Sequence, residues 1–202
     1  MFLNKVYFPV WDNEIEKTII EINRVNNQIN SVLKKMNKNE AFDLSMLFDN
    51  IGDVLERWTG HTYVGIKKEK KIKKAYQYFF RSLYQFLMVC KESEIENMQK
   101  IARMVLYQGK AYRYLGHGND LEFKDKKIKP YYDDIFVSWS KSKYNSYIES
   151  KLYGTITIMT CLISENDYGI DLEPFGVVRA DEAEVVFPTI EECIIEIEYI
   201  NK

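Results

Sequence analysis

The chain has 202 residues, and its 28 Lys and Arg against 30 Asp and Glu give a formal net charge of -2 at pH 7. This near balance provides no global electrostatic attraction to a polyanion such as nucleic acid. With 14% aromatic residues and only 9 Gly and 4 Pro, the composition is that of an ordered globular protein and excludes a disordered one.

The first hundred residues carry the pattern of amphipathic helices. Between Asp12 and Met36 the apolar residues recur at steps of three, four and seven, which predicts a helix with Asp12 as its N-cap. Similar stripes predict helices over residues 40–57, 70–91 and 93–104. We interpret the long first stripe as an internal packing face rather than a dimer seam.

After Val105 the pattern changes to short runs rich in β-branched and aromatic residues, separated by charged or glycine-containing turns. These runs predict strands over residues 105–115, 135–138, 155–163, 182–187 and 193–200. Helices first and strands afterwards predict an α+β fold. The expected organisation is a helical N-terminal lobe, residues 1–104, and a β-rich part, residues 105–202, within one compact domain.

Cysteine usage and hydropathy indicate the compartment. Cys90, Cys161 and Cys193 are odd in number, widely spaced and embedded in apolar runs, so a secreted disulfide framework is not expected. No stretch approaches the ~20 apolar residues of a membrane span, and the N-terminus lacks the apolar core of a signal peptide. The sequence therefore predicts a cytoplasmic protein that does not interact with membranes.

Metal and phosphate-loop chemistry is not predicted. His61 and His117 are the only two histidines, and neither has Cys or carboxylate neighbours at metal-ligand spacing. A glycine-rich phosphate loop of the Walker or Rossmann type is also missing from the sequence.

Three short patterns occur in order in the second half: Tyr112 to Tyr114, then Phe136 to Ser140, then Asp181 to Pro188. The arginine of the first pattern offers a rigid fork of donors that suits a diphosphate or a ribose. Residues two apart on a strand point the same way, so Glu182 and Glu184 are expected to project into one site. A carboxylate is the usual protein contribution to an oxocarbenium-like transition state. The patterns together indicate binding of a dinucleotide and cleavage of its glycosidic bond.

This ordered set resembles the Arg-Ser-Glu class of mono-ADP-ribosyltransferases, over roughly Leu106 to Tyr199. The resemblance implies that NAD is the substrate, that Glu184 is the catalytic glutamate and that Glu182 acts on the acceptor side. It implies that Ser138 fixes the rotamer of Glu184. The sequence departs from the family where Trp139 replaces the threonine of the Ser-Thr-Ser motif. The NAD-binding residues implied are Tyr112, Arg113, Tyr114, Ser138, Ser140, Tyr144 and Tyr147.

The resemblance also implies an acceptor and an architecture. The Glu-x-Glu form points to a protein arginine as acceptor, with RNA as an alternative, and Phe175 and Arg179 lie in the loop that would meet it. The implied fold is ADP-ribosyltransferase-like, with the helical N-terminal half packed on a split, mostly antiparallel β core that holds NAD in its cleft. The size is similar to that of small phage-encoded or bacterial intracellular transferases, which act as toxin-like effectors.

Each pattern also has an ordinary structural explanation. A Glu-x-Glu is commonly the solvated face of a strand, and the chain has a second copy at Glu196 and Glu198. The main alternative function is therefore a non-enzymatic α+β interaction module of phage or mobile-element origin. A third is an RNA-binding protein that uses the lysine run at residues 67–74 and the aromatic residues after it. We favour reading these lysines as the solvated start of a helix whose aromatic residues are core.

Overall fold

The computed structural model describes residues 9–38, 40–59, 70–115, 136–143, 156–163, 167–177, 183–188 and 195–200. Within these ranges the helices come first and the strands follow, which confirms the predicted α+β class. The helices are α1 (Pro9–Asn37), α2 (Leu44–Thr59), α3 (Lys70–Glu92) and α4 (Glu96–Val105). The strands are β1 (Leu106–Tyr107), β2 (Gly109–Leu115), β3 (Phe136–Ser140), β4 (Ile156–Ile163), β5 (Gly169–Asp171), β6 (Glu184–Pro188) and β7 (Ile195–Ile200). The chain forms two compact units, residues 1–86 and 87–202.

The core of the first unit is built from the predicted apolar stripes. Ile22, Val25 and Ile29 of α1 are buried, as are Ile51 and Val54 of α2. Because these positions are three or four residues apart, each set lies on one face of its helix.

Aromatic residues of α3 complete that core. Tyr76, Phe79 and Phe80 are buried, and the ring of Trp58 meets both Tyr76 and Phe80 edge-on at 4.9 Å. Lys70 and Lys71, at the start of α3, are exposed. For the part of the run that the structure describes, the interpretation as a solvated helix start is therefore confirmed. Of the four aromatic residues after it, Tyr76, Phe79 and Phe80 are core, whereas Tyr78 is exposed.

Three helix starts differ from those predicted. α2 begins at Leu44 and not at residue 40, because Asp43 accepts a hydrogen bond from the Met46 backbone N–H at 3.1 Å and caps the helix there. Asp12 is not an N-cap, because α1 already begins at Pro9, a residue that suits the first helical position. α4 begins at Glu96 instead of Ser93, because the Ser93 hydroxyl accepts a hydrogen bond from the Ile95 backbone N–H at 3.2 Å and closes a turn before the helix.

The strands of the second unit form one sheet in the order β1-β5-β6-β3-β2-β4-β7, and each described pair is antiparallel. Only Gln108 separates β1 from β2 in the chain, yet the two strands stand four places apart in the sheet. The sheet must therefore curl until its first and fifth strands meet at Gly109. That glycine has φ of +136°, a conformation that residues with a Cβ rarely adopt, and it makes the bend possible.

The pairing between neighbouring strands is shortest between β2 and β3. The described pairing of these strands is the single bridge between Tyr112 and Ser140. In contrast, β2 pairs with β4 along its whole length and β3 pairs with β6 along its whole length. The sheet thus divides into two half-sheets, β1-β5-β6-β3 and β2-β4-β7, which are joined by one bridge and by the bend at Gly109.

The strand predictions were wrong in two places. The single strand predicted over residues 105–115 is two strands, because the chain bends at Gly109. β6 begins at Glu184 and not at Glu182, because Ala183 has φ of +42° and lies outside the extended region. In addition, β5 was not predicted, since three residues are too few to show a two-residue period.

Candidate functional site

The pairing register places parts of all three predicted motifs on neighbouring strands. Tyr112 on β2 lies directly opposite Ser140 on β3, and Ser140 lies directly opposite Glu184 on β6. Directly opposite residues of an antiparallel pair share one face, with Cβ atoms about 4.5 to 5.5 Å apart. Tyr112, Ser140 and Glu184 therefore form a row across three strands. Tyr112 and Glu184 are half-buried, so the row is accessible at both ends.

The two serines of the second motif have different surroundings. Ser140 is buried, its hydroxyl donates to the Ser142 carbonyl at 2.9 Å, and it accepts from the Ser142 N–H at 3.1 Å. It thereby closes the turn that ends β3. Ser138 lies opposite Val186, so it is a diagonal neighbour of Glu184 at about 7 to 8 Å. The structure thus sets Ser140, and not Ser138, directly across from the glutamate.

Arg113 reaches the second motif from the gap between the half-sheets. Arg113 follows Tyr112 on β2. Because successive residues of a strand point to opposite faces, the Cβ of Arg113 lies on the face opposite to the row. Its Nη1 nevertheless donates to the backbone carbonyl of Ser138 at 3.3 Å. Strand carbonyls lie in the plane of the sheet. The guanidinium therefore occupies the level of the sheet, beside the single bridge, where β2 and β3 diverge.

Glu184 begins a strand and is held from both sides by its backbone. Its carbonyl accepts from the Leu172 N–H at 3.0 Å, and the Ala183 carbonyl accepts from the Lys141 N–H at 2.8 Å. Because Ala183 has positive φ, the two-residue alternation stops at this point. The expectation that Glu182 and Glu184 share one continuous strand is therefore wrong. Glu182 itself lies outside the described residues.

Several predicted site residues cannot be located. Tyr144, Tyr147 and Arg179 lie outside the described residues. Tyr114 is described through its backbone, which pairs with Ile158 of β4. Phe175 ends a short 3-10 helix, Glu173–Phe175, and is half-buried there.

Lys141, which no sequence motif singled out, lies beside the row. Its Nζ contacts Asp171 Oδ2 at 2.6 Å and Glu173 Oε2 at 2.7 Å. Burial alone lowers the pKa of Lys141, but hydrogen bonds to the two carboxylates outweigh that effect and raise it above its usual value. Since the Lys141 N–H also bonds Ala183, this one residue fastens the end of β5 and the start of β6 to the end of β3.

Lys141→Met is expected to lower the free energy of unfolding by about 1 to 2 kcal/mol. Breaking an exposed ion pair costs less than this, and breaking a fully buried ion pair costs more. The Lys141–Asp171 pair is intermediate, because its side chains are 20% and 13% exposed. Thermal unfolding measures the loss. Lys17→Met is the control, because its pair with Glu14 is long, at 3.6 Å, and both side chains are well exposed. An equal effect of the two substitutions would show that the Lys141 cluster adds no stability.

The same cluster predicts a pH dependence. The hydrogen bond from Lys141 lowers the pKa of Glu173 below the ordinary glutamate value of 4.5. A lowered folded-state pKa stabilises the protein above pH 4.5, and this contribution disappears as the pH falls through the folded-state pKa. The stability difference between the wild type and Lys141→Met should therefore narrow below pH 4.5. A difference that stays constant down to pH 3 would contradict this.

Other chemistries find little support in the described residues. They contain no group of three or more His, Cys, Asp and Glu side chains that could hold a metal ion. Cys90 and Cys161 are buried free thiols, and burial raises the pKa of Cys90 to about 12, so this thiol is not a nucleophile at neutral pH. Among the helices described, none is long and apolar enough to cross a membrane.

A cavity of about 130 Å³ lies in the helical unit. Its wall is formed by α1, α2 and the residues just before α2 and combines apolar with polar side chains: Gln28, Ser31, Val32, Lys35, Phe42, Asp43, Met46 and Leu47. Asp43 is the one carboxylate among these lining residues, so the cavity does not offer a pair of carboxylates. The row on the sheet remains the better candidate for chemistry.

Comparison with known proteins does not identify a family. No family model matches the chain, and no curated protein or solved structure is significantly similar to it.

Proposed function

We propose that the chain is an NAD-dependent mono-ADP-ribosyltransferase, which cleaves the nicotinamide-ribose bond and transfers ADP-ribose to a protein arginine. The observation that carries the proposal is the adjacency of the three motif-bearing strands. β4 and β5 separate the second motif from the third along the chain, yet β2, β3 and β6 are direct neighbours in the sheet. Glu184 thereby lies opposite Ser140, and Arg113 contacts Ser138.

The proposed reaction assigns Glu184 to the sugar. The bond between the ribose C1 and the nicotinamide nitrogen breaks, and its electron pair leaves with nicotinamide. The half-buried carboxylate of Glu184 stabilises the positive charge that develops on the ribose. The acceptor nitrogen then forms the new bond to C1 and loses a proton, a step for which Glu182 is the proposed base.

The division of the sheet supports a cleft for the dinucleotide. In the proposal, NAD lies where β2 and β3 diverge, with its diphosphate on the guanidinium of Arg113, and the fold is ADP-ribosyltransferase-like with a split core. Tyr144 or Tyr147 would stack on nicotinamide, and Phe175 with Arg179 would contact the acceptor. Because NAD is an intracellular substrate, the proposed place of action is the cytoplasm of the producing or infected cell.

Arg113→Lys is expected to weaken NAD binding by roughly 1.5 to 3 kcal/mol, the scale of a hydrogen bond to a charged group. Lysine keeps the charge but cannot present the planar fork that suits a diphosphate. Calorimetric titration with NAD measures the change. Arg103→Lys, at an exposed position on α4, is the control and should bind NAD normally. Unaltered NAD affinity in Arg113→Lys, with a large fall in melting temperature, would make Arg113 a purely structural residue.

The RNA-binding alternative is weakened by burial. The lysine run is followed by Tyr76, Tyr78, Phe79 and Phe80, and of these four only Tyr78 is exposed, at 55%. Three of the four aromatic residues are thus unable to stack on bases.

One assay separates these functions. The protein is incubated with NAD labelled in the adenylate moiety, together with an arginine-rich protein as acceptor. Release of nicotinamide and label on the acceptor are the expected results. No release of nicotinamide, combined with tight and salt-sensitive binding of RNA, would favour the RNA-binding alternative. If the protein neither releases nicotinamide nor binds RNA, the result would favour the non-enzymatic interaction module.

A further inference from the structure

The polar row extends two strands further than the three motifs, to Thr160 on β4 and, directly opposite Thr160 in the register, to Glu196 on β7. Thr160 on β4 lies directly opposite Tyr112 on β2. The register therefore places Glu184, Ser140, Tyr112 and Thr160 in line across β6, β3, β2 and β4, on one face of the sheet. This line crosses the bridge between the two half-sheets.

Thr160 and Ser140 are both buried in this row, at 6% and 7% exposed. The Ser140 hydroxyl is paired with Ser142, whereas the Thr160 Oγ1 has no hydrogen-bond partner among the residues that the structure describes. Two residues further along β4, on the same face, Leu162 is 55% exposed, and Lys110 opposite it is also exposed. The exposure of this face therefore falls from Leu162 and Lys110 to Thr160, whose buried hydroxyl finds no partner among the described residues. Buried polar groups are nearly always paired, so such a hydroxyl calls for a partner.

We infer that the Thr160 hydroxyl is a ligand-binding group that hydrogen-bonds a ribose hydroxyl of NAD. The inference rests on the proposed function. A threonine hydroxyl both donates and accepts, which matches a sugar hydroxyl. The carboxylate of Glu184 in the same row disfavours a phosphate there, whereas Arg113 offers the diphosphate a positive partner at the gap. The sugar is thus assigned to the face of the sheet that carries the row, and the diphosphate to the gap between β2 and β3.

The test uses Thr160→Val, which keeps the shape of the side chain and removes the hydroxyl. Without NAD, its melting temperature should rise by roughly 2 to 6 °C, because an unpaired buried group is lost. Calorimetric titration with NAD is done in a Glu184→Gln background, which slows turnover. There, adding Thr160→Val should raise the Kd for NAD about 5- to 10-fold, the loss of one neutral hydrogen bond.

Thr18→Val is the matched control, because Thr18 on α1 is also buried and its Oγ1 has no hydrogen-bond partner within the described part of the chain. It should leave NAD affinity unchanged in the same background. Equal NAD affinity with and without Thr160→Val would overturn the inference while leaving the proposed function intact. A lower melting temperature of Thr160→Val would also overturn it, since the hydroxyl would then already be paired without ligand. If neither the wild type nor Glu184→Gln binds NAD, the proposed function fails, and the inference fails with it.

Discussion

Glu184→Gln is expected to slow the release of nicotinamide from NAD by about 10² to 10³. The substitution removes the charge that stabilises the developing cation and preserves the volume of the side chain. Glu184 is half-buried at the start of β6, with its backbone paired to Leu172 and Ser140, so the fold should not depend on its charge. Steady-state release of nicotinamide measures the effect, and circular dichroism checks that the variant is folded.

Glu198→Gln is the matched control for this prediction. The chain repeats the Glu-x-Glu pattern on β7, which stands four places from β6 in the sheet. β7 pairs with β4 and not with β3 or β6, so Glu198 does not lie opposite any residue of the second or third motif. Glu198→Gln should therefore release nicotinamide at the wild-type rate. Wild-type activity of Glu184→Gln, or equal losses in both variants, would remove Glu184 from the chemistry.

Gly109→Ala is expected to lower the free energy of unfolding of the sheet unit by about 2 to 4 kcal/mol. At φ of +136° an alanine is strained, a cost of about 1 to 3 kcal/mol. Its Cβ would also meet the hydroxyl of Tyr107 at 3.0 Å. That hydroxyl cannot move away freely, because it donates to the Lys110 carbonyl at 2.7 Å. The bend that brings β1 and β2 together would therefore be lost or distorted.

Gly176→Ala separates conformational strain from crowding. Gly176 also has positive φ, at +69°, but a Cβ at this position would meet nothing within 4 Å. Its replacement should cost only about 1 kcal/mol. Denaturant titration, with amide hydrogen exchange of β2 and β4, measures the loss in the sheet unit separately from the helical unit. Equal losses for the two glycines would show that the contact with Tyr107 is unimportant.

The sequence predicted those features that depend on local pattern. Apolar residues at steps of three and four located the helices to within a few residues, because burying one face imposes that period. The ends were less certain. Pro9 begins α1 ahead of Asp12, and Ser93 closes a turn ahead of α4, since capping depends on backbone conformation that several residue types can supply.

Features that depend on distant residues were not predictable. The order of strands in a sheet is set by long-range packing, and no local pattern states that β6 pairs with β3. The cluster of Lys141 and Asp171 joins residues 30 positions apart. The positive φ of Ala183, which separates Glu182 from the strand of Glu184, is also invisible in the sequence, because alanine rarely adopts it.

The most direct test of the proposed function is a crystal structure of Glu184→Gln grown with NAD. We expect the nicotinamide-side ribose to lie within hydrogen-bond distance of residue 184, and a ribose hydroxyl of NAD to hydrogen-bond Thr160 further along the row. The diphosphate should lie at the guanidinium of Arg113, where β2 and β3 diverge. NAD bound elsewhere on the protein, or a row that remains empty at a saturating concentration of NAD, would contradict the assignment of this sheet as a transferase site.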